Sequence, residues 1–196
     1  MPTALAAFKP GERKLQILQA LAAMLEQPSA GKITTAALAG RLSVSEAALY
    51  RHFASKAQMF EGLIDFIEST VFGLINQIVE QQENGLSQVQ AIATMLLSFA
   101  ERNPGMTRVL IGDALVNENE RLQARMNQFL ERIELAIKNS LRIAVSQGSS
   151  GEEDANARAG LITDFIVGRW HRFAKTGFRK NPSEGSKAQI ALLLAG

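Results

Sequence analysis

The chain contains no cysteine, which excludes disulfide bridges, thiolate zinc sites and cysteine nucleophiles. Histidine occurs only at His52 and His171, too sparsely to build a metal cluster without cysteine, so neither a metal nor a cofactor is expected. There is no glycine loop of the kind that cradles phosphates, and the acidic residues are scattered along polar helix faces, so an enzyme is the poorest of the function classes. No apolar run approaches the roughly 18 to 20 residues of a transmembrane helix. Met1 to Phe8 is too short to join a basic region to an apolar one, as a secretory signal requires. A cytoplasmic location is the expectation. Proline is also scarce, at five residues, and a composition with 46% hydrophobic and 20% charged residues is that of a folded chain, not a disordered one.

Net charge is small, at +2, but unevenly spread. Residues 1 to 60 hold Lys9, Arg13, Lys14, Lys32, Arg41, Arg51 and Lys56 against Glu12, Glu26 and Glu46, whereas the remainder is slightly acidic. A basic head suits a polyanion, because each neutralised phosphate releases condensed counterions. Mixed surface charge is common, and the asymmetry alone does not settle the matter.

Apolar residues recur at three and four along nearly every segment, and no alternating β-branched stretch appears, so the fold class is all-α with about nine helices. The spacing predicts a first helix from near Pro10 to the stop at Pro28-Ser29-Ala30-Gly31. A second begins at Thr34 or Thr35, and Ser43-Val44 makes a turn. A third, capped by Ser45, runs to about Phe53. The fourth covers Lys56 to about Gln82, the fifth about Ser87 to Arg102, and the sixth Met106 to Val116. The seventh spans about Asn119 to Val145. After the connection Gly148-Ser149-Ser150-Gly151 come an eighth, Glu152 to Lys175, and a ninth, Ser186 to Leu194. No internal repeat interrupts this order. The reading divides the chain into a helix-turn-helix head, residues 1–55, and a helical body, residues 56–196. The fourth helix crosses that boundary without a linker, so the two parts should be mechanically coupled.

Three short helices, with a tight turn between the second and third, match the plan in which the third enters the major groove of DNA. Ser45, Glu46, Ala47 and Ala48 occupy the end that faces bases, and the two alanines are small enough for close approach to thymine methyls. Tyr50, Arg51, His52 and Lys56 offer donors to phosphates, as do Thr34 and Thr35 at the start of the second helix. Leu49 and Phe53, four apart, read as core. Tyr50 also suits a half-buried packing role, and Glu46 equally suits stabilisation of its own first turn.

The run from Thr34 to Lys56, with Leu49-Tyr50-Arg51-His52-Phe53-Ala54-Ser55-Lys56 at its end, resembles the TetR family of dimeric regulators. That resemblance implies that Tyr50, His52 and Lys56 touch phosphates and that two heads read a palindrome on double-stranded DNA. Ala100 to Leu110 and Arg121 to Glu134 are similar to a branch of the family that acts in nucleoid occlusion. This implies a nucleoid-associated protein that captures the C-terminal tail of the division GTPase FtsZ and opposes Z-ring assembly. The tail groove of that branch, between the fourth and fifth helices, corresponds to Phe66, Leu74, Met95, Ser98, Arg102 and Asn103. Leu74 departs from it, since arginine is usual there. On the residues alone Phe66 sits about 120° from Phe60 on the helix wheel, which allows a groove. It equally allows core packing, with Arg102-Asn103 a plain helix stop. The family also implies a four-helix homodimer interface built by the last long helices, with Phe165, Ile166, Trp170 and Phe173 on one face. Trp170 suits either that interface or the interior of one chain. The alternative function is a repressor released by a small ligand, which needs an apolar cavity instead of an outward groove.

Overall fold

The computed structural model describes residues 11–27, 33–116, 118–149 and 154–195. Among these residues there are nine α-helices, one 3₁₀ turn and no strand. The helices are α1 (Glu12–Leu25), α2 (Thr35–Arg41), α3 (Glu46–Tyr50), α4 (Lys56–Gln81), α5 (Gly85–Arg102), α6 (Pro104–Leu110), α7 (Glu120–Ser146), α8 (Asp154–Lys175) and α9 (Ser186–Leu194), and the 3₁₀ turn covers Asp113–Leu115. The expected start at Pro10, the stop at Pro28 to Gly31 and part of the connection at 148–151 lie outside the described residues.

Helix starts follow local side-chain chemistry. Thr34, Ser45, Ser55 and Asn84 each accept a hydrogen bond from a backbone N–H three residues on, which satisfies a donor that the helix cannot pair itself. Two boundaries differ from expectation for this reason. Asn84-Gly85, read as a break before a helix at Ser87, is instead the cap and first residue of α5. Asn103-Pro104-Gly105, read as a stop before Met106, holds the start of α6 with proline in the first turn, where its missing N–H costs nothing. That sixth helix then ends at Leu110 instead of Val116, because Gly112 takes a left-handed conformation, φ 76°, and the chain continues as the 3₁₀ turn.

The body packs α4, α5, α7 and α8 around one apolar interior. Met59, Phe60, Leu63, Ile64, Ile67, Val71 and Ile75 of α4 meet Ile92, Leu96 and Leu97 of α5 and Phe129, Ile133 and Ile137 of α7, all buried. At the α5–α7 crossing a side chain on Gly85 would collide with the backbone of Ser140 and Ala144, so glycine permits the approach. Gly105 does the same where α6 meets the Ala22 carbonyl of α1.

Helix α4 is long and apolar enough to cross a membrane, with a mean hydropathy of 1.3 over its best window, although no single apolar run predicted it. Its polar face is spent within the protein, because Glu61, Asp65 and Glu68 pair across to α7. Arg121 meets Glu61 at 2.7 Å, and Arg125 meets Asp65 at 2.5 Å and Glu68 at 2.7 Å. The hydrogen bond to Glu68 holds the Arg125 guanidinium above its ordinary pKa against the opposing push of burial, and Asp65 adds to it.

The face of α8 requires a correction. Ile166, Trp170 and Phe173, expected on the dimer interface, are buried within the single chain, where Trp170 Nε1 donates to the Leu96 carbonyl at 3.2 Å. The stripe was a real apolar face, but α5 and α7 of the same chain cover it. Phe165 remains half-buried.

Candidate nucleic-acid interface and partner groove

The head is α1 to α3 packed against the start of α4. Leu38, Leu49 and Phe53 are buried with Ile17 and Leu21 of α1. The α2–α3 turn closes with the Val44 N–H on the Ala39 carbonyl at 3.0 Å and Ser43 at φ 54°. This holds α3 across α2 with one side outward. Ser45, Glu46, Ala47 and Tyr50 are exposed on that side, Tyr50 at 45%, so its half-buried packing role is set aside. Ala48 is partly covered.

α3 ends at Tyr50, three residues earlier than expected, since the N–H groups of His52 and Phe53 both turn back onto the Leu49 carbonyl. Pulling Leu49 and Phe53 together into the core uses that turn, and Ser55 then starts a new helix. Arg51, exposed, and His52, half-buried, therefore belong to the turn after α3.

The hydroxyls differ in what they still offer. Thr34 and Ser45 accept from their own helices, which leaves each O–H free to donate. Thr35 is committed differently: its Oγ1 donates to Glu46 Oε2 at 2.5 Å, joining the first turns of α2 and α3. Glu46 thus serves as a brace between helices, a third role beside base contact and stabilisation of its own turn. Lys56 is likewise engaged. Its Nζ lies 2.5 Å from Glu118 Oε1 and 5.6 Å from the centre of the Phe60 ring. No motif pointed to Glu118, and its pairing with a residue 62 positions away appears only in the fold.

On the body, the six residues that the family resemblance assigned to a groove converge. Phe66, Leu74, Met95, Ser98, Arg102 and Asn103, together with Thr70 and Phe99, line one hollow of about 370 Å³ between α4 and α5. Phe66 is 41% exposed, off the buried stripe of α4, which overturns the core alternative. Asn103 donates Nδ2 to the Phe99 carbonyl at 2.7 Å, which fixes its side chain at the groove end. Arg102 stands exposed there. Beyond Phe66 a second hollow of about 410 Å³ is lined by Leu15, Leu18 and Gln19 of α1 with Leu63, Asn103 and Met106. Sequence reading missed that hollow. Its one signal was Leu15, an exposed apolar residue outside the α1 stripe.

Comparison with known proteins agrees with this plan at both ends. Residues 17–63 match the model of the bacterial regulatory proteins, tetR family, and residues 83–195 match the SlmA-like model of the tetracyclin repressor-like C-terminal domain. Among solved structures, a TetR transcription regulator from Haloarcula marismortui superposes with a TM-score of 0.79 at 16% identity, over 93% of this chain and 96% of that one. The regulator FadR from Bacillus subtilis, solved with stearoyl-CoA, gives 0.75 at 14% identity, over 93% and 98%. These likenesses establish the fold. Sequence relatives go further. The nucleoid occlusion factor SlmA of Aliivibrio fischeri is 47% identical over 95% of this chain and 96% of its own length. That of Idiomarina loihiensis is 49% identical over 90% and 91%. The chain belongs to the SlmA family of nucleoid occlusion factors, built on the TetR-type fold.

Proposed function

We propose that the chain acts as a homodimer that binds palindromic chromosomal sites through its head, residues 1–55, and captures the C-terminal tail of FtsZ on its body, residues 56–196. The observation that carries the second half is the convergence of Phe66, Leu74, Met95, Ser98, Arg102 and Asn103 on one open groove. Its apolar floor takes hydrophobic side chains of an extended tail, and Arg102 meets the acidic ones. Such a protein is nucleoid-associated in the cytoplasm, and its chemistry is binding, not catalysis.

Ser45, Glu46, Ala47 and Ala48 of the head face the base edges, while Thr34, Thr35, Tyr50, Arg51 and His52, with Lys56 at the start of α4, address the backbone. The dimer face moves from the buried Trp170 stripe to its exposed neighbour. Ala157, Leu161, Phe165 and Gly168 follow one another at four, four and three along α8, with Leu161 59% exposed. A ligand-released repressor is less well supported, because Leu96, Phe129 and Trp170 fill the interior where a ligand would lie.

Two titrations test the reading. The protein is used to select a duplex from a random pool, and binding to that duplex should weaken steeply with salt and fall more than tenfold in Tyr50→Ala or His52→Ala, within the range of about 1–3 kcal/mol per lost contact. Unchanged binding removes the groove assignment. The FtsZ tail peptide should bind the protein on that duplex, and Phe66→Ala should weaken it. A peptide with no affinity, with or without the duplex, returns the chain to the repressor class.

A further inference from the structure

Two of the proposed phosphate-directed donors are occupied by the chain's own carboxylates: Thr35 by Glu46, and Lys56 by Glu118. The two cases differ in reach. Glu46 sits on the recognition helix itself, whereas Glu118 belongs to the body, in the segment between the 3₁₀ turn and α7. The Lys56–Glu118 pair is also the better sheltered, with side chains 20% and 11% exposed. It heads the row of α4–α7 ion pairs that continues through Glu61–Arg121 and Asp65/Glu68–Arg125.

We propose that Glu118 is an internal stand-in for a DNA phosphate, holding Lys56 in the free protein and exchanged for a backbone phosphate when the head docks. The proposal rests on the DNA-binding reading above. The chemistry is simple competition. A carboxylate in contact with the ammonium cancels its charge toward any second anion, and a phosphate brought to Lys56 meets the repulsion of Glu118 at short range. Docking therefore requires the carboxylate to withdraw. The withdrawal is a rotation of the Glu118 side chain, which leaves its backbone N–H on the Leu115 carbonyl at 2.9 Å. A released Glu118 also has a favourable place beside the N-terminus of α7, where the helix dipole attracts negative charge.

The test uses the full-length dimer and the duplex that it selects, with affinity measured across a salt series. Glu118→Gln keeps the shape and removes the charge. It should tighten binding roughly threefold or more while leaving the salt slope nearly unchanged, because Lys56 reaches its phosphate in both proteins and only the cost of displacing Glu118 is removed. Glu120→Gln, two residues away and outside the pair, should change affinity by less than twofold. In a Lys56→Ala background the gain from Glu118→Gln should fall by at least half. Three results each overturn the proposal: a Glu118→Gln protein that binds no better than the parent, a Glu120→Gln protein that gains as much, or a gain undiminished without Lys56. Failure of the parent protein itself to bind any selected duplex overturns the DNA-binding reading and this proposal with it.

Discussion

The indole N–H of Trp170 donates to the backbone carbonyl of Leu96 at 3.2 Å, across the interior of a single chain. Tryptophan here joins α8 to α5 and is not available to a partner. Trp170→Ala should lower the free energy of urea unfolding by about 3–5 kcal/mol, the cost of a large core cavity. Leu161→Ala, on the exposed stripe, should instead raise the dimer dissociation constant seen by sedimentation with little loss of intrinsic stability. The reverse pattern would restore Trp170 to the interface.

Glycines should divide by what surrounds them. Gly85→Ala places a methyl against the α7 backbone and should destabilise the protein by about 1–3 kcal/mol, as overpacking does. Gly73 lies inside α4 with nothing within 4 Å of an added methyl, so Gly73→Ala should stabilise by about 0.5–1 kcal/mol. Thermal midpoints moving in the same direction for both variants would contradict the α5–α7 approach described above.

Asp113 carries a pH dependence. Burial pushes its carboxyl up, but the hydrogen bonds from Lys175 at 3.0 Å and Arg108 at 2.8 Å outweigh it, so the folded pKa lies below the ordinary value. A depressed carboxylate contributes stability that is fully present above its unfolded pKa, about 3.9, and lost as pH falls through the lower folded value. Asp113→Asn should therefore cost stability near neutrality and show a shallower decline below about pH 4. Parallel curves for parent and variant between pH 2 and 5 would count against the linkage.

The groove offers a gain-of-affinity experiment. Leu74 is half-buried on the groove wall, at the position where the family resemblance implies an arginine. Leu74→Arg adds a cation facing an acidic peptide and should tighten tail binding about two- to tenfold at low salt, the range of a partly exposed charge pair. Arg102→Ala should weaken it. If Leu74→Arg has no effect while Phe66→Ala still abolishes binding, the tail is held by its apolar side chains alone.

Periodicity and capping chemistry by themselves determined the all-α class, the order of the nine helices seen among the described residues and the tight turn between α2 and α3. The reason is local: a serine or asparagine ahead of an apolar stripe meets its own backbone N–H three residues on, whatever lies elsewhere in the chain. The α4 stripe was legible in the same way, and so was Phe66, displaced from it. Resemblance supplied the groove positions, and the fold gathered them on one wall. Tertiary structure alone decided how faces were used. Trp170 and Leu161 both lie on apolar strips of α8, and only the packing of α5 and α7 determines which one is covered. Whether a basic residue is free is equally non-local. Lys56 reads from sequence as a cation at a helix start, yet its charge is set by Glu118, a partner that only the fold brings within 2.5 Å.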